Sequence, residues 1–295
     1  VVMSVNNSLV CYLLESFASD FIKENYLSKL TTGEKLGAFS LSEPQSGSDA
    51  SNMKTIAKKV GDDYVVSGTK NWVTSGINCD YVILFAVTKQ GIGHKGVSAF
   101  VVDKEWEGFS CGKPENKLGI RASDTCELYF DNVKIPKENL IGEEGMGFKI
   151  ALATLDGGRI GIAAQALGIA QASLDASISY SKERIQFGKP ISANQGIQFK
   201  LADMAMEIEA SRLIIRQAAY LKDKHLNFGP MASMAKVYAS ETAMKASTNC
   251  VQIHGGNGYM RETGVERLMR DAKITQIYEG TSEIQRVVIA RGLLN

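Results

Sequence analysis

The chain is poor in cysteine and has no close pair of them. Its five, Cys11, Cys79, Cys111, Cys126 and Cys250, are scattered and never form a CxxC. This odd, unpaired set fits a reducing compartment better than a disulfide framework. Histidine is scarcer still. His94, His225 and His254 do not cluster with cysteines or acids at metal-ligand spacing, so no metal site is expected. No apolar run approaches the length of a membrane span. Blocks of like charge and low-complexity tracts are absent, the net charge is +1 and the pI is about 7.7. These exclude a general attraction to nucleic acid or anionic membrane. The first residues, VVMSVNNSLVCYLL, lack an initiator Met and the basic n-region of a signal peptide. The sequence is expected to begin inside a longer protein, within a helical stretch.

What is present is an ordinary globular balance, 44% hydrophobic and 22% charged, over 295 residues, enough for two domains and part of a third. Residues 1–34 read as helical and end in the turn TTGEK. Residues 35–142 carry short β-rich runs, YVVSG (64–68), NWVTSG (71–76), YVILFAV (81–87), VSAFVV (97–102) and CELYFDNVKI (126–135), separated by turn clusters. That spacing predicts an antiparallel β-barrel or sandwich. Residues 143–295 change to helical periodicity. Ile160, Ala163, Leu167, Ala170, Leu174 and Ile178 recur at threes and fours, as do Ile197, Leu201, Met204, Ile208, Ser211, Ile215 and Ala218. Gly188 and Pro190 separate these two helices. A third runs from Pro230 to His254 before Gly255-Gly256, and a fourth follows Gly280, predicting a four-helix bundle. The fold class is α+β and multidomain.

Several stretches could carry chemistry. In QIYEGTSEIQR (276–286), Glu279 sits on a loop just before a helix. The spacing of Ser282 and Gln285 predicts a capping box. A solvated loop glutamate and a general base beside an apolar pocket are both open readings. SEPQSGSD (42–49) is either an ordinary loop or a cradle for a phosphate or flavin edge. Trp72 and Thr74 lie two apart on a strand and share a face, as a core Trp or as a flank for a flat ring. In LDGGR (155–159), Asp156 and Arg159 form an i,i+3 ion pair or a nucleotide-binding pair. RIQFGKP (184–190) and QIHGGNG (252–258) are breaker loops, with His254 read as a helix-end cap. GEEGMG (142–147) matches neither a phosphate loop nor a dinucleotide fingerprint and is read as a domain connection.

Taken in order, SEPQSGSD, KNWVTSG, KLGIRASDT, LDGGRIGIAAQALGIAQ, RIQFGKP, QIHGGNGY and LMRDAKITQIYEGTSEIQR resemble the motif series of the acyl-CoA dehydrogenases, nearest to the short-chain, butyryl-CoA branch. The resemblance covers essentially the whole chain. It implies an N-terminal helical domain, of which residues 1–34 would be the end, then a middle β domain and a C-terminal four-helix bundle. It implies FAD-dependent conversion of a short-chain acyl-CoA to a trans-2-enoyl-CoA. Glu279 would be the α-proton base, and a hydride would go to flavin N5. Gly158 occupies the position where some relatives carry the base instead. A short-branched-chain dehydrogenase, an oxidase of the same superfamily, and a catalytically silent binding protein are the competing readings.

The resemblance also assigns sites. Phe39, Leu41, Ser42, Gly47 and Ser48, with Trp72, Val73 and Thr74, would border the isoalloxazine. Arg184, Gln186, Phe187, Gln195, Gln252, Gly255 and Gly256 would reach the FAD of a neighbouring subunit, and Thr281, Ser282 and Glu283 would make another FAD contact. Ser48, Asp156, Arg159 and Gly280 would contact the acyl-CoA substrate. It further implies a homo-oligomer, usually a dimer of dimers, and electron-transferring flavoprotein as electron acceptor. The compartment would be the bacterial cytoplasm or the mitochondrial matrix.

Overall fold

The computed structural model describes residues 1–294. The chain divides into two compact units, Val1–Lys117 with Arg121–Gly158, and Leu118–Ile120 with Arg159–Asn295.

In the first unit, residues 2–17 and 20–32 are helical, with π-type turns at Val5–Cys11 and Lys23–Leu27. They break where Ala18 turns extended, and Ser19 caps the restart by accepting from the Ile22 N–H. Gly33, at φ 76, ends the second stretch in the left-handed conformation glycine allows. Eight strands follow: β1 (Gly37–Ser40), β2 (Ile56–Val60), β3 (Asp63–Thr74), β4 (Tyr81–Val87), β5 (Val97–Asp103), β6 (Phe109–Cys111), β7 (Thr125–Ile135) and β8 (Leu140–Ile141). They form one sheet in the order β6-β7-β3-β2-β4-β5-β8, with β1 beside β4.

The expected all-antiparallel sheet needs correction, because the sheet is mixed. β1 runs parallel to β4, pairing Gly37 with Tyr81, and β2 meets β4 in parallel at Ile56 and Val87. The long excursion between β1 and β4 lets the chain return in the same direction. The runs 64–68 and 71–76, read as separate strands, belong mainly to β3, whose pairing with β7 slips between Lys70 and Val73.

β4 and β5 are near-continuous apolar runs because both of their faces are buried. Tyr81, Ile83 and Phe85 meet Val10, Leu13, Leu14, Ile22, Leu27 and Leu30 of the helices. Val82, Leu84 and Ala86 meet Val66, Val73, Leu128 and Val133 of β3 and β7. Each of the Val, Leu, Ile and Phe side chains among these contributes about 1.5–3 kcal/mol by leaving water. Gly37 permits close approach of the helices, since a Cβ there would come 2.6 Å from Val10.

The second unit is helical. The helix Gly147–Glu183 enters it at Arg159, and Gln195–Asp223, Gly229–His254, Val265–Ile274 and Ser282–Leu294 follow. The 265–274 helix was not anticipated. It is short and highly charged, and it buries only Val265 and Ala272. A further short turn, Gly256–Tyr259, follows Gly255. The 229–254 helix packs against the 195–223, 265–274 and 282–294 helices. Its alanines and serines, Ala232, Ser233, Ala235, Ala239, Ser240, Ala243 and Ala246, are buried around it. Small side chains let three neighbours approach one helix, and alanine also favours the helix itself.

Candidate active site

Glu279 and Gly280 form the tight bend between the 265–274 and 282–294 helices. Both are left-handed, at φ 57 and φ 86. Glycine adopts this readily and glutamate does not, so the surrounding contacts must hold Glu279 there. Tyr278 donates to Ile274 O through its backbone and to Gln165 Oε1 through its hydroxyl. Gln285 Nε2 donates to the carbonyls of both Glu279 and Gly280, at 2.9 and 3.0 Å. Lys236 Nζ donates to Gly280 O at 2.8 Å. Thr281 caps the last helix, its hydroxyl accepting from the Ile284 N–H at 3.3 Å. This corrects the predicted capping box. The helix starts at Ser282, so Thr281 is the cap, and Gln285 reaches back to the loop carbonyls instead.

The Glu279 carboxylate is buried, and its Oε2 has no hydrogen-bond partner among the described residues. Burial pushes its pKa up to about 7, and the Arg159 and Lys236 charges only partly offset that. Arg159 is itself buried and donates to Ser233 Oγ at 3.2 Å. Among the described residues the Glu279 N–H has no acceptor. The site therefore holds a carboxylate poised near neutrality, a free backbone donor next to it, and two buried cations. That set can take a proton from carbon and steady the oxyanion that results.

Ser282 is buried with an unpartnered hydroxyl, while Glu283 is exposed in the first helical turn. Arg184, Gln186, Phe187 and Gln195 are exposed around the two-stranded turn Ile185–Gln186 and Lys189–Pro190. Phe187, at its tip, is left-handed and 99% exposed. Gln252, Gly255 and Gly256 end the 229–254 helix close to this turn, because His254 stacks on Tyr180 at 4.2 Å and Asn257 donates to the Tyr180 hydroxyl. His254 caps its helix end as expected, its Nδ1 lying 2.8 Å from Cys250 O.

In the first unit, Phe39 is half-buried against Phe85. Leu41 and Ser42 are also half-buried, whereas Gly47 and Ser48 are exposed. The Asn71 N–H donates to Ser42 O, bringing this segment beside Trp72, Val73 and Thr74. Trp72 is not a core residue. It is 61% exposed, at φ 59 on the β3 bulge, with Val73 buried and Thr74 half-buried beside it. Beneath the segment, buried Glu43 accepts from Lys70 Nζ at 2.8 Å and from the Lys54 and Thr55 N–H groups, and Lys70 also reaches Leu41 O. Burial alone would raise the Glu43 pKa, but these donors hold it at about 2. Asp156 is half-buried on the 147–183 helix.

Lys236, Gln165, Glu43 and Lys70 were not singled out from sequence. Lys236 alone left a trace: it interrupts the apolar spacing of Ala232, Ala235, Ala239 and Ala243 with a charge.

Two family models match the chain: acyl-CoA dehydrogenase, middle domain, over residues 38–133, and acyl-CoA dehydrogenase, C-terminal domain, over residues 145–294. The short-chain specific acyl-CoA dehydrogenase of Rattus norvegicus mitochondria is 52% identical, across all of this chain and 71% of that protein. The solved butyryl-CoA dehydrogenase of Megasphaera elsdenii is 50% identical, with a TM-score of 0.99 over all of this chain and 77% of its own. A structure described as the electron transferring flavoprotein of Acidaminococcus fermentans, concerned with flavin-based electron bifurcation, contains a chain 48% identical, also at TM-score 0.99, covering 100% of this chain and 77% of that one.

Proposed function

The chain belongs to the acyl-CoA dehydrogenase family and dehydrogenates acyl-CoA thioesters, and from that premise we propose that its substrate is a short straight-chain acyl-CoA, its cofactor FAD and its base Glu279. The observation that carries this reading is the buried, unpartnered Glu279 Oε2 beside a free backbone N–H. A solvated loop glutamate would not have its carboxylate oxygen buried without a partner.

The residues fit a flat cofactor. In the first unit Trp72 presents an exposed indole from a strained bulge, two residues from the half-buried Thr74; in the second unit the buried Ser282 hydroxyl lacks a partner at a helix N-terminus. Phe39, Leu41, Ser42, Gly47, Ser48 and Val73 complete the proposed isoalloxazine border. FAD, when bound, supplies the acceptor for the hydride leaving the β-carbon.

The chain's own groups do the rest. Glu279 takes the α-proton. A carboxylate held near pKa 7 is a stronger base than a solvated one and is still about half ionised at neutral pH. As the proton leaves, charge builds on the thioester oxygen, and the Glu279 N–H stabilises it. Gly158 leaves its helix position without a competing carboxylate. Ser48, Asp156, Arg159 and Gly280 are proposed to contact the CoA thioester.

Electron-transferring flavoprotein is the acceptor, in keeping with the Acidaminococcus relative. A neighbouring copy's FAD is proposed to meet Arg184, Gln186, Phe187, Gln195, Gln252, Gly255 and Gly256 in a dimer of dimers. The 99% exposed Phe187 supports such a partner surface. Thr281, Ser282 and Glu283 add a further contact. The three-part division into residues 1–34, 35–142 and 143–295 belongs to the same proposal. No helix among the described residues is long and apolar enough to cross a membrane. The bacterial cytoplasm or the mitochondrial matrix would suit the reaction.

The test is turnover of butyryl-CoA to trans-2-butenoyl-CoA. It is expected of the parent and lost in Glu279→Gln with FAD still bound. Equal turnover in both proteins would remove Glu279 from the mechanism.

A further inference from the structure

The fully buried ammonium of Lys236 has no assigned role in the reaction, and burying a lysine is costly unless its charge is used. It makes one hydrogen bond, to Gly280 O at 2.8 Å, and no carboxylate lies within salt-bridge distance among the described residues. We propose that Lys236 is a positioning residue for the base. Its ammonium pins the Gly280 carbonyl, holding the left-handed Glu279–Gly280 bend, and supplies a positive charge next to the base.

Two separate features support this. The bend is strained at Glu279, so its geometry must be imposed by neighbours, and Gln285 and Lys236 are the side chains that hold its carbonyls. The same residue also acts by charge. Around Glu279 the charged groups are Arg159 from the 147–183 helix and Lys236 from the 229–254 helix, and Tyr278 precedes it in the loop. Around Lys236 they are Glu279, Arg159, Glu283 and Glu241. Burial lowers the Lys236 pKa to about 8, with Glu279 the strongest opposing charge, so at pH 7 both partners are substantially charged. Arg159, which donates to Ser233, would remain if Lys236 were removed, but the ammonium bond to Gly280 O would be lost.

The proposal rests on Glu279 as the base, and the test separates the two. In holoenzyme, the infrared band of the protonated Glu279 carboxyl is identified by its loss in Glu279→Gln and titrated in the parent and in Lys236→Met. The variant's midpoint is expected about one pH unit higher, because an opposing charge has gone. The acidic limb of kcat/KM for butyryl-CoA should move up by the same amount, with kcat falling more than KM rises. Lys236→Gln keeps an N–H donor without charge. It should show the same titration shift with less loss of kcat. A carboxyl midpoint and limb that stay in place would overturn the proposal, even if activity drops. Recovery of both variants only as unfolded protein would also overturn it, since the lysine would then serve the fold. Undiminished turnover in Glu279→Gln would instead sink the reading of the base, while the infrared shift would still report on Lys236.

Discussion

The side-chain amide of Gln285 lies 2.9 Å from the carbonyl oxygen of Glu279, six residues earlier, and 3.0 Å from that of Gly280. One buried amide on the last helix thus fixes two successive peptide groups of the base-bearing bend. Gln285→Leu keeps the volume and removes both bonds. It is expected to cost about 1–3 kcal/mol of stability, read from denaturant unfolding, because the Glu279 carbonyl loses its side-chain donor and Gly280 keeps only Lys236. Its effect on kcat should be larger, about 10–100-fold, since small displacements of a reacting group are costly. A kcat within twofold of the parent would show that the bend holds its shape without Gln285.

The Glu43–Lys70 pair anchors the loop proposed to border the flavin. Lys70→Met leaves a buried carboxylate without its cation and should destabilise the first unit by about 3–5 kcal/mol. Adding Glu43→Gln removes the stranded charge and should recover part of that loss. Glu43 titrates at about 2 in the fold, below its ordinary 4.5. Its contribution to stability is therefore complete above pH 4.5 and disappears as pH falls from 4.5 towards 2. Unfolding midpoints measured across that window should fall more steeply for the parent than for Glu43→Gln.

Trp72 couples backbone strain to a ligand surface. Its φ of 59 suits glycine, and its indole is mostly in water. Trp72→Gly is expected to leave the stability of flavin-free protein unchanged or raise it by up to about 1 kcal/mol. The same change should weaken retention of FAD, measured by ultrafiltration. A loss of stability comparable to deleting a core aromatic, about 3–5 kcal/mol, would instead make Trp72 structural.

How much of this was readable beforehand depended on range. β4 and β5 were legible because burial on both faces writes an unbroken apolar run into the sequence. The 147–183 and 195–223 helices were legible by their spacing. β1, β2, β6 and β8 were missed because they are two to five residues long and take their partners from distant strands. Glu279 was found by its motif, but its environment was not. Lys236 lies 44 residues from Gly280, the carbonyl it holds, and Arg159 lies 74 residues from Ser233. No local pattern encodes such meetings. The sequence leaves a core Trp72 and an outward one both open because the bulge that turns it outward depends on how β3 registers with β7.

The central claim is that Glu279 takes the α-proton while bound FAD receives the hydride. The most direct measurement is the absorbance of FAD after anaerobic mixing with butyryl-CoA, for the parent and for Glu279→Gln loaded with equal flavin. The account predicts rapid bleaching in the parent and a rate at least about 100-fold lower in the variant. Bleaching at the same rate in both proteins would contradict it.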